Sequence, residues 1–553
     1  MMMNFFTEQM DYILLLYGLS FIVLSALTFM LSGNSLLRWK WFSFFALTQG
    51  IIRIAEIVTV SHETGQVFKI VDLSLAILSY FFLFEFGRSG LELDKGKKNA
   101  GKWIYAILFW LVAVGGFRNI EGIEATSRYF MAMPGALFSA YILSRTRLAK
   151  LQGDKAILMA TTTIILLGIS ITAVPPKATF FPANYLNEET FFSAASFPVE
   201  LFNTFLVVIL CSCFGLFRRE KLVWNNIESS ARHIPYSTYL SPFLLFITII
   251  AGWIAVQETS ISENTKQRES LLGLSRAIAA SIESGKILPL TGSSGDLKLP
   301  EHKDLRDKLT IISNSQKNIR GISVITYRES RIIFLIGSAQ DRLKNPLDKA
   351  ADPKDFYSAA TKEIIESFHK GKEFTLGSLE DKSGLFLSVL VPIFAPDSKK
   401  VTAVLGVDIS TPDWNTNIAK RRLPLIFTTL LICLLLLIFF VIDEKNRESS
   451  LKIKASESRY RSLVEGSPNC VELFDRQGNY ISINDTGLIY KGLTERDIMG
   501  KPYRDTWPEG FIRNIVDEAV KRVTRGERCS FEAESFRLDG SAITWMIVLN
   551  PIW

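Results

Sequence analysis

LPLIFTTLLICLLLLIFFVI, residues 423–442, holds twenty residues and no charge. That is the length a helix needs to cross a bilayer's hydrocarbon layer, roughly 30 Å thick. Its flanks are of another kind: Lys420, Arg421 and Arg422 precede it, and Asp443, Glu444 and Lys445 follow. Eight further apolar stretches lie upstream, near 12–31, 37–60, 67–86, 103–117, 126–145, 156–174, 198–217 and 238–257. The pattern predicts nine spans. Between the eighth and ninth, and again after the ninth, the sequence is mixed and β-rich. The expected fold is a multi-domain membrane protein: an α-helical transmembrane bundle plus two α+β domains with antiparallel sheets and helices.

Composition agrees with a chain that meets lipid. Of its 553 residues 40 are Phe, and the net charge of +7 is modest. A charge of that size suits loops beside a membrane and argues against a nucleic-acid partner. The five cysteines form no CxxC pair and there are only four histidines, so no metal spacing is present. The first segment has an acidic lead-in and no small-residue cleavage pattern, unlike a cleaved signal.

Loop charges orient the spans. LLRWK, GRSGLELDKGKKNAGK, SRTRLAKLQGDK and FRREK follow spans one, three, five and seven, and all are basic. These loops are expected in the cytoplasm, which puts the N-terminus outside. The expected organisation is a seven-span sensor region (1–217), a cytoplasmic loop (218–237) and an eighth span (238–257). An extracytoplasmic domain (258–421), the ninth span (422–442), a signalling helix (443–458) and a cytoplasmic domain (459–553) follow. The basic run at 420–422 falls on the outer side and disagrees, one site against four concordant loops.

In the outer segment, Leu271, Leu274, Ile278 and Ile282 share one helical stripe, as if span eight continues as a stalk. GISVITYRESRIIFLIGS, GLFLSVLVPIF and KKVTAVLGVDIS are β-rich runs. RAIAAS, FLSVLVPI and TAVLGVDIS resemble Cache domains, the PAS-like outer sensors of bacterial receptors. Members often carry a loop G-x-x-x-D-x-x-G-x-x-x-S, which Gly377, Asp381, Gly384 and Ser388 fit. The resemblance implies a small-molecule pocket lined by Tyr327, Asp381, Ser388 and Asp408. Residue by residue, a core Tyr327 and a strand-end Asp408 are the plainer alternatives. Ser383 stands where an aromatic is common, and the Arg, Trp and Tyr of amino-acid-binding members are not evident.

After the last span, DEKNRESSLKIKASESRYRSLVE (443–465) reads as a helix or a solvated linker. Strands CVELFD and YISIN, a Thr494–Asp497 capping box, a helix with Phe511, Ile515, Ala519 and Val523 on one stripe, and two strands around Asp539-Gly540 follow. YRSLVEGSPN, FDRQGNYISIND and DGSAITWMIVLNPI resemble the PAS fold. That fold has five strands and four are legible, so the domain is expected to lack its last strand. The run ITWMIVLNPIW, apolar on both faces, reads as an interior strand. No histidine follows residue 442, so no haem ligand is available, and Cys470 and Cys529 lack a flavin-reactive context. The expectation is no cofactor.

Gln49, Arg53 and Glu56 sit near one face of span two, and Asp72 early in span three. Charges at membrane depth face a partner or a cavity. An Arg53–Glu56 structural pair is the plainer reading, a ligand site the sharper one. The stretch resembles N-terminal multi-span regions of some bacterial sensor kinases. Together the resemblances imply the sensory part of a histidine kinase in the inner membrane, a homodimer signalling to a response regulator. A diguanylate cyclase output is the alternative, and a nine-span transporter a weaker one. No catalytic motif such as H-E-x-x-H or G-x-S-x-G is present, so no enzyme activity is expected of these residues themselves.

Overall fold

The computed structural model describes residues 5–6, 8–32, 37–61, 65–95, 101, 103–145, 154–177, 182–224, 237–316, 318–328, 331–338, 361–381, 384–395, 400–507, 510–536 and 542–552. The chain forms two compact units, one reaching to Val441 and one built mainly from Ile442 onward.

The first unit opens with α1 (Met10–Leu31), α2 (Trp39–Ser61), α3 (Gln66–Lys95), α4 (Ile104–Gly115) and α5 (Asn119–Ser127). α6 (Met133–Arg145), α7 (Asp154–Ala173), α8 (Glu188–Ala195) and α9 (Val199–Trp224) follow. Then come α10 (Ser237–Ala280), five strands with two helices among them, and α13 (Thr411–Glu465). Among the described residues α1, α2, α3, α7, α9, α10 and α13 are long and apolar enough to cross a membrane. Two expected spans differ. α4 has 12 residues, about 18 Å of helix at ~1.5 Å per residue, short of the hydrocarbon thickness. The fifth is interrupted by a π-turn at Arg128–Ala132 between α5 and α6.

The bundle core is aromatic. Trp39 packs against Phe42, Phe86, Phe214 and Phe217, all buried. α1 and α2 approach closely at two glycines: a Cβ on Gly50 would overlap Ile22, and one on Gly18 would overlap Ile54. α3 runs on to Lys95, beyond the expected end of the span at residue 86, because Glu85, Arg88 and Glu92 pair along one face of it.

α10 continues unbroken from its apolar half into the stalk, burying Leu271 and Ile278 and half-burying Leu274, and Ile282 is buried just past its end. It leads to α11 (Pro300–Ser315), β1 (Ile319–Arg328), β2 (Arg331–Gly337), α12 (Thr361–Lys370), β3 (Phe374–Asp381), β4 (Gly384–Phe394) and β5 (Val401–Ser410). The five strands form one antiparallel sheet in the order β2-β1-β5-β4-β3. One face carries Ile322, Val324, Leu387, Val389, Leu405 and Val407 against α10 and α11. The other carries Ile325, Leu390 and Val404 against Ile364 of α12. The stretch Gly377 to Ser388, expected as a loop, is largely strand: Gly377 and Asp381 lie in β3, Gly384 and Ser388 in β4, and the two strands pair.

The second unit takes the end of α13 and continues with β6 (Glu472–Phe474), β7 (Tyr480–Ile483), α14 (Asp485–Lys491) and α15 (Glu495–Ile498). A 3₁₀ turn (Tyr503–Thr506), α16 (Phe511–Thr524), β8 (Cys529–Phe536) and β9 (Ala542–Leu549) complete it. Residues 443–465 are helix, continuous with the apolar run, and the Thr494–Asp497 capping box is present. The strands form two separate two-stranded sheets, β6-β7 and β8-β9. The Asp539-Gly540 turn lies outside the described residues, but β8 and β9 pair antiparallel on either side of it.

Two expectations change here. The buried stripe of α16 is Ile512, Val516, Ala519 and Val520, one position on from the Phe511–Ile515 start. Helical periodicity fixes the spacing of a stripe better than its phase. β9 is no interior strand among the described residues: it pairs with β8 alone and alternates exposed with half-buried residues.

Candidate functional site

In the 258–421 domain, termed the outer domain only after its expected side of the membrane, β4 and β5 set Ser388 directly opposite Asp408, and β1 sets Gly321 opposite Asp408 on the other edge. Directly paired residues hold their Cβ atoms about 5 Å apart. Both side chains leave the sheet on the α12 face, since their neighbours Leu387, Val389, Val407 and Ile409 fill the other. Ser388 is 0% exposed and its Oγ has no hydrogen-bond partner among the described residues, and Asp408 is 4% exposed. The central part of this face is small and polar: Gly321, Ser323, Ser388, Gly406 and Asp408. The Arg320 guanidinium lies 5.1 Å from the centre of the Phe386 ring. A small floor with a buried carboxylate and a hydroxyl suits a compact polar ligand.

The other two expected pocket residues stand apart. Tyr327 is six residues along β1 from Gly321, about 20 Å at ~3.3 Å per residue, with its ring against Phe368 and His369. It is half-buried beside α12. Asp381 ends β3 with its backbone paired to Gly384, and its side chain lies outside the described residues. A groove of about 610 Å³ in this domain is elsewhere, between Leu271 and Leu274 of α10, Ile319, Ile409 and Trp414. It is open and is lined by the later half of α10 and the first turns of α13, whereas Ser388 and Asp408 are themselves buried.

In the bundle, Arg53 donates from one guanidinium nitrogen to both Glu56 carboxylate oxygens, at 2.7 and 2.8 Å, with the guanidinium 5.3 Å over the Tyr17 ring. Gln49 donates to Ser79 at 2.6 Å. Asp72 is within electrostatic range of Arg53, Glu56, Glu124 and Arg128. Arg53, Glu56 and Asp72 therefore share one charged neighbourhood with Glu124 and Arg128, while Gln49 pairs with Ser79. Glu124 and Arg128, paired at 2.7 Å, were missed because their segment read as an ordinary apolar span.

A second missed pair is the most buried ion pair among the described residues. Asp11 and Arg422 meet at 2.9 Å with 2% and 3% of their side chains exposed. Arg422 also donates to Gln9 at 3.1 Å and to the Glu8 carbonyl, and Gln9 donates to Gln257 at 2.8 Å. Tyr12 donates to the Ile249 carbonyl, and Tyr12, Leu15, Val256, Ile426 and Leu430 form one apolar cluster. α1 is thereby fastened to the two helices that carry the outer domain. Arg422 is an interior ion-pair partner and no loop charge, which removes it from the count that sets orientation.

The family of the PAS fold matches residues 464–552, and the C-terminal unit is a PAS-fold domain. No curated protein matches the chain. Among solved structures the chain is similar to one described as "the extracellular domain of the putative histidine kinase mmHK1S-Z2". The identity is 10%, over 54% of this chain and 91% of the other, with a TM-score of 0.18, too loose a superposition to inform on fold or function.

Proposed function

We propose that the chain is a membrane signalling receptor whose 258–421 domain, Cache-like in its sequence, takes a small polar ligand outside the cell and whose PAS domain relays the change inside. The output is the phosphorelay of a histidine kinase, with a homodimer as the working form and a response regulator as its target. A diguanylate cyclase output is the second reading.

One observation carries the proposal. Asp408 lies three residues before Thr411, where α13 begins, and α13 then runs without a break to Glu465, inside the PAS match. A shift of β5 on ligand binding is thus imposed on a single helix that contains the apolar run and enters the relay domain. A ligand biases such a helix only through different affinities for its two positions. The Asp11–Arg422 contact gives the bundle a hold on that helix.

The test is a screen of small polar metabolites against the purified chain, read by hydrogen exchange over β4 and β5. A hit should protect these strands in the parent and lose at least tenfold in affinity in Asp408→Ala, with Tyr327→Phe unchanged. A hit whose affinity ignores both Asp408→Ala and Ser388→Ala places the pocket elsewhere.

A further inference from the structure

We infer that the interior of the PAS domain is a binding site for a primary alkylammonium group, and that its occupant is the chain's own Lys491. This inference does not depend on the receptor proposal.

Lys491 is the last residue of α14, and Gly492 follows in the left-handed region at φ +66°, where the chain reverses. The side chain is turned into the domain. Its Nζ lies 2.8 Å from Glu472 Oε1 of β6. It donates to Tyr480 Oη of β7 at 2.8 Å and to Thr506 Oγ1 of the 3₁₀ turn at 3.4 Å. An ammonium has three N–H donors and no acceptor. Here three acceptors, from three separate elements, meet it.

The walls are aromatic. Nζ lies 5.4 Å from the ring centre of Tyr480, 5.2 Å from Tyr503 and 5.4 Å from Trp507. All three are within the ~6 Å at which a cation gains from a ring's negative face. Phe474 packs tilted against Tyr480 and Tyr503, with ring centres 4.8 and 4.4 Å apart. Both members of the ion pair are 12% exposed. Burial raises the Tyr480 hydroxyl above its ordinary range, so it stays protonated and neutral.

An incidental ion pair needs only the carboxylate. Three rings around one nitrogen, with three matched acceptors, are the features by which proteins recognise ammonium ligands. The cage joins the β6–β7 hairpin, α14 and the turn at 503–506. It fills with the chain's own cation the space between these elements.

The test uses the full 553-residue chain. Lys491→Ala removes the equivalent of a propylammonium group, so the probe is n-propylammonium chloride, and the readout is hydrogen exchange of peptides over 472–507. Exchange should rise at least tenfold in Lys491→Ala, fall back on adding propylammonium, and not respond in Lys491→Ala/Glu472→Gln. The parent, its site already filled, should not respond. A folded Lys491→Ala chain indifferent to the probe, or a parent that responds equally, overturns the inference. Should Lys491→Ala fail to fold, reductive methylation of the parent decides. Lys491 should react at least tenfold more slowly than exposed Lys501, and equal rates overturn the inference.

Discussion

Two regions of this chain share a plan of hairpin, helix, hairpin, and only one has a strand between its hairpins. In the outer domain β5 hydrogen-bonds to β1 along one edge and to β4 along the other, so that β1-β2 and β3-β4 become one sheet. In the PAS domain β6-β7 and β8-β9 remain separate. There the hairpins meet through side chains: Tyr480 and Ile483 of β7, Val516 of α16 and Ala533 of β8 share one core. The outer domain is thus held by a backbone ladder and the PAS domain by packing. A ladder passes displacement from strand to strand, which suits the domain where β5 leads straight into α13.

The contrast is sharpened first at the outer domain's other fixed joint. Arg422→Ala leaves Asp11 buried without its counter-charge, a change that costs about 3–5 kcal/mol. Thermal unfolding in detergent should drop sharply, and Asp11→Asn/Arg422→Met should recover part of the loss. Next, Leu405→Ala in β5, where Leu405 is fully buried, should cost about 2–5 kcal/mol. Hydrogen exchange should then rise in β1 and β4 together. A rise in only one of them breaks the claim that β5 is the joint.

In the PAS domain Val516→Ala removes two methyl groups from a fully buried site, about 1.5–2 kcal/mol at ~0.8 per buried carbon. Both hairpins should loosen, because both pack on this core. The smallest effect is acid dependence in the outer domain. Burial alone raises the Asp296 carboxyl, but hydrogen bonds from the Thr291 hydroxyl and from the Gly292 and Thr291 backbone outweigh it and lower the pKa. A lowered native pKa gives stability that is present above the unfolded value, ~3.9, and is lost as pH falls through the native value. Asp296→Asn should flatten the melting-temperature profile below about pH 4, with little change near neutrality.

Much of this was legible in the chain. The apolar runs and the β-rich segments correspond to helices and strands because length and alternation act locally. The stripe Leu271, Ile278, Ile282 was readable for the same reason. What was not legible required distant partners. Arg422 and Asp11 are 411 positions apart, and nothing near either residue signals the pair. The Ser388–Asp408 juxtaposition depends on strand register, while Tyr327, equally plausible in the sequence, fell six residues away along β1. Lys491 looked like an ordinary C-terminal helix lysine, since its rings come from β7 and from the turn beyond α15.

The central claim is that the outer domain and the PAS domain lie on opposite sides of a membrane. Single cysteines at Ser293, exposed in the outer domain, and at Ser530, exposed on β8, test it with a membrane-impermeant maleimide on intact cells, against the parent chain as background. Ser293→Cys should label at once and Ser530→Cys only after permeabilisation. Labelling of Ser530→Cys in intact cells, or protection of Ser293→Cys, would contradict the account.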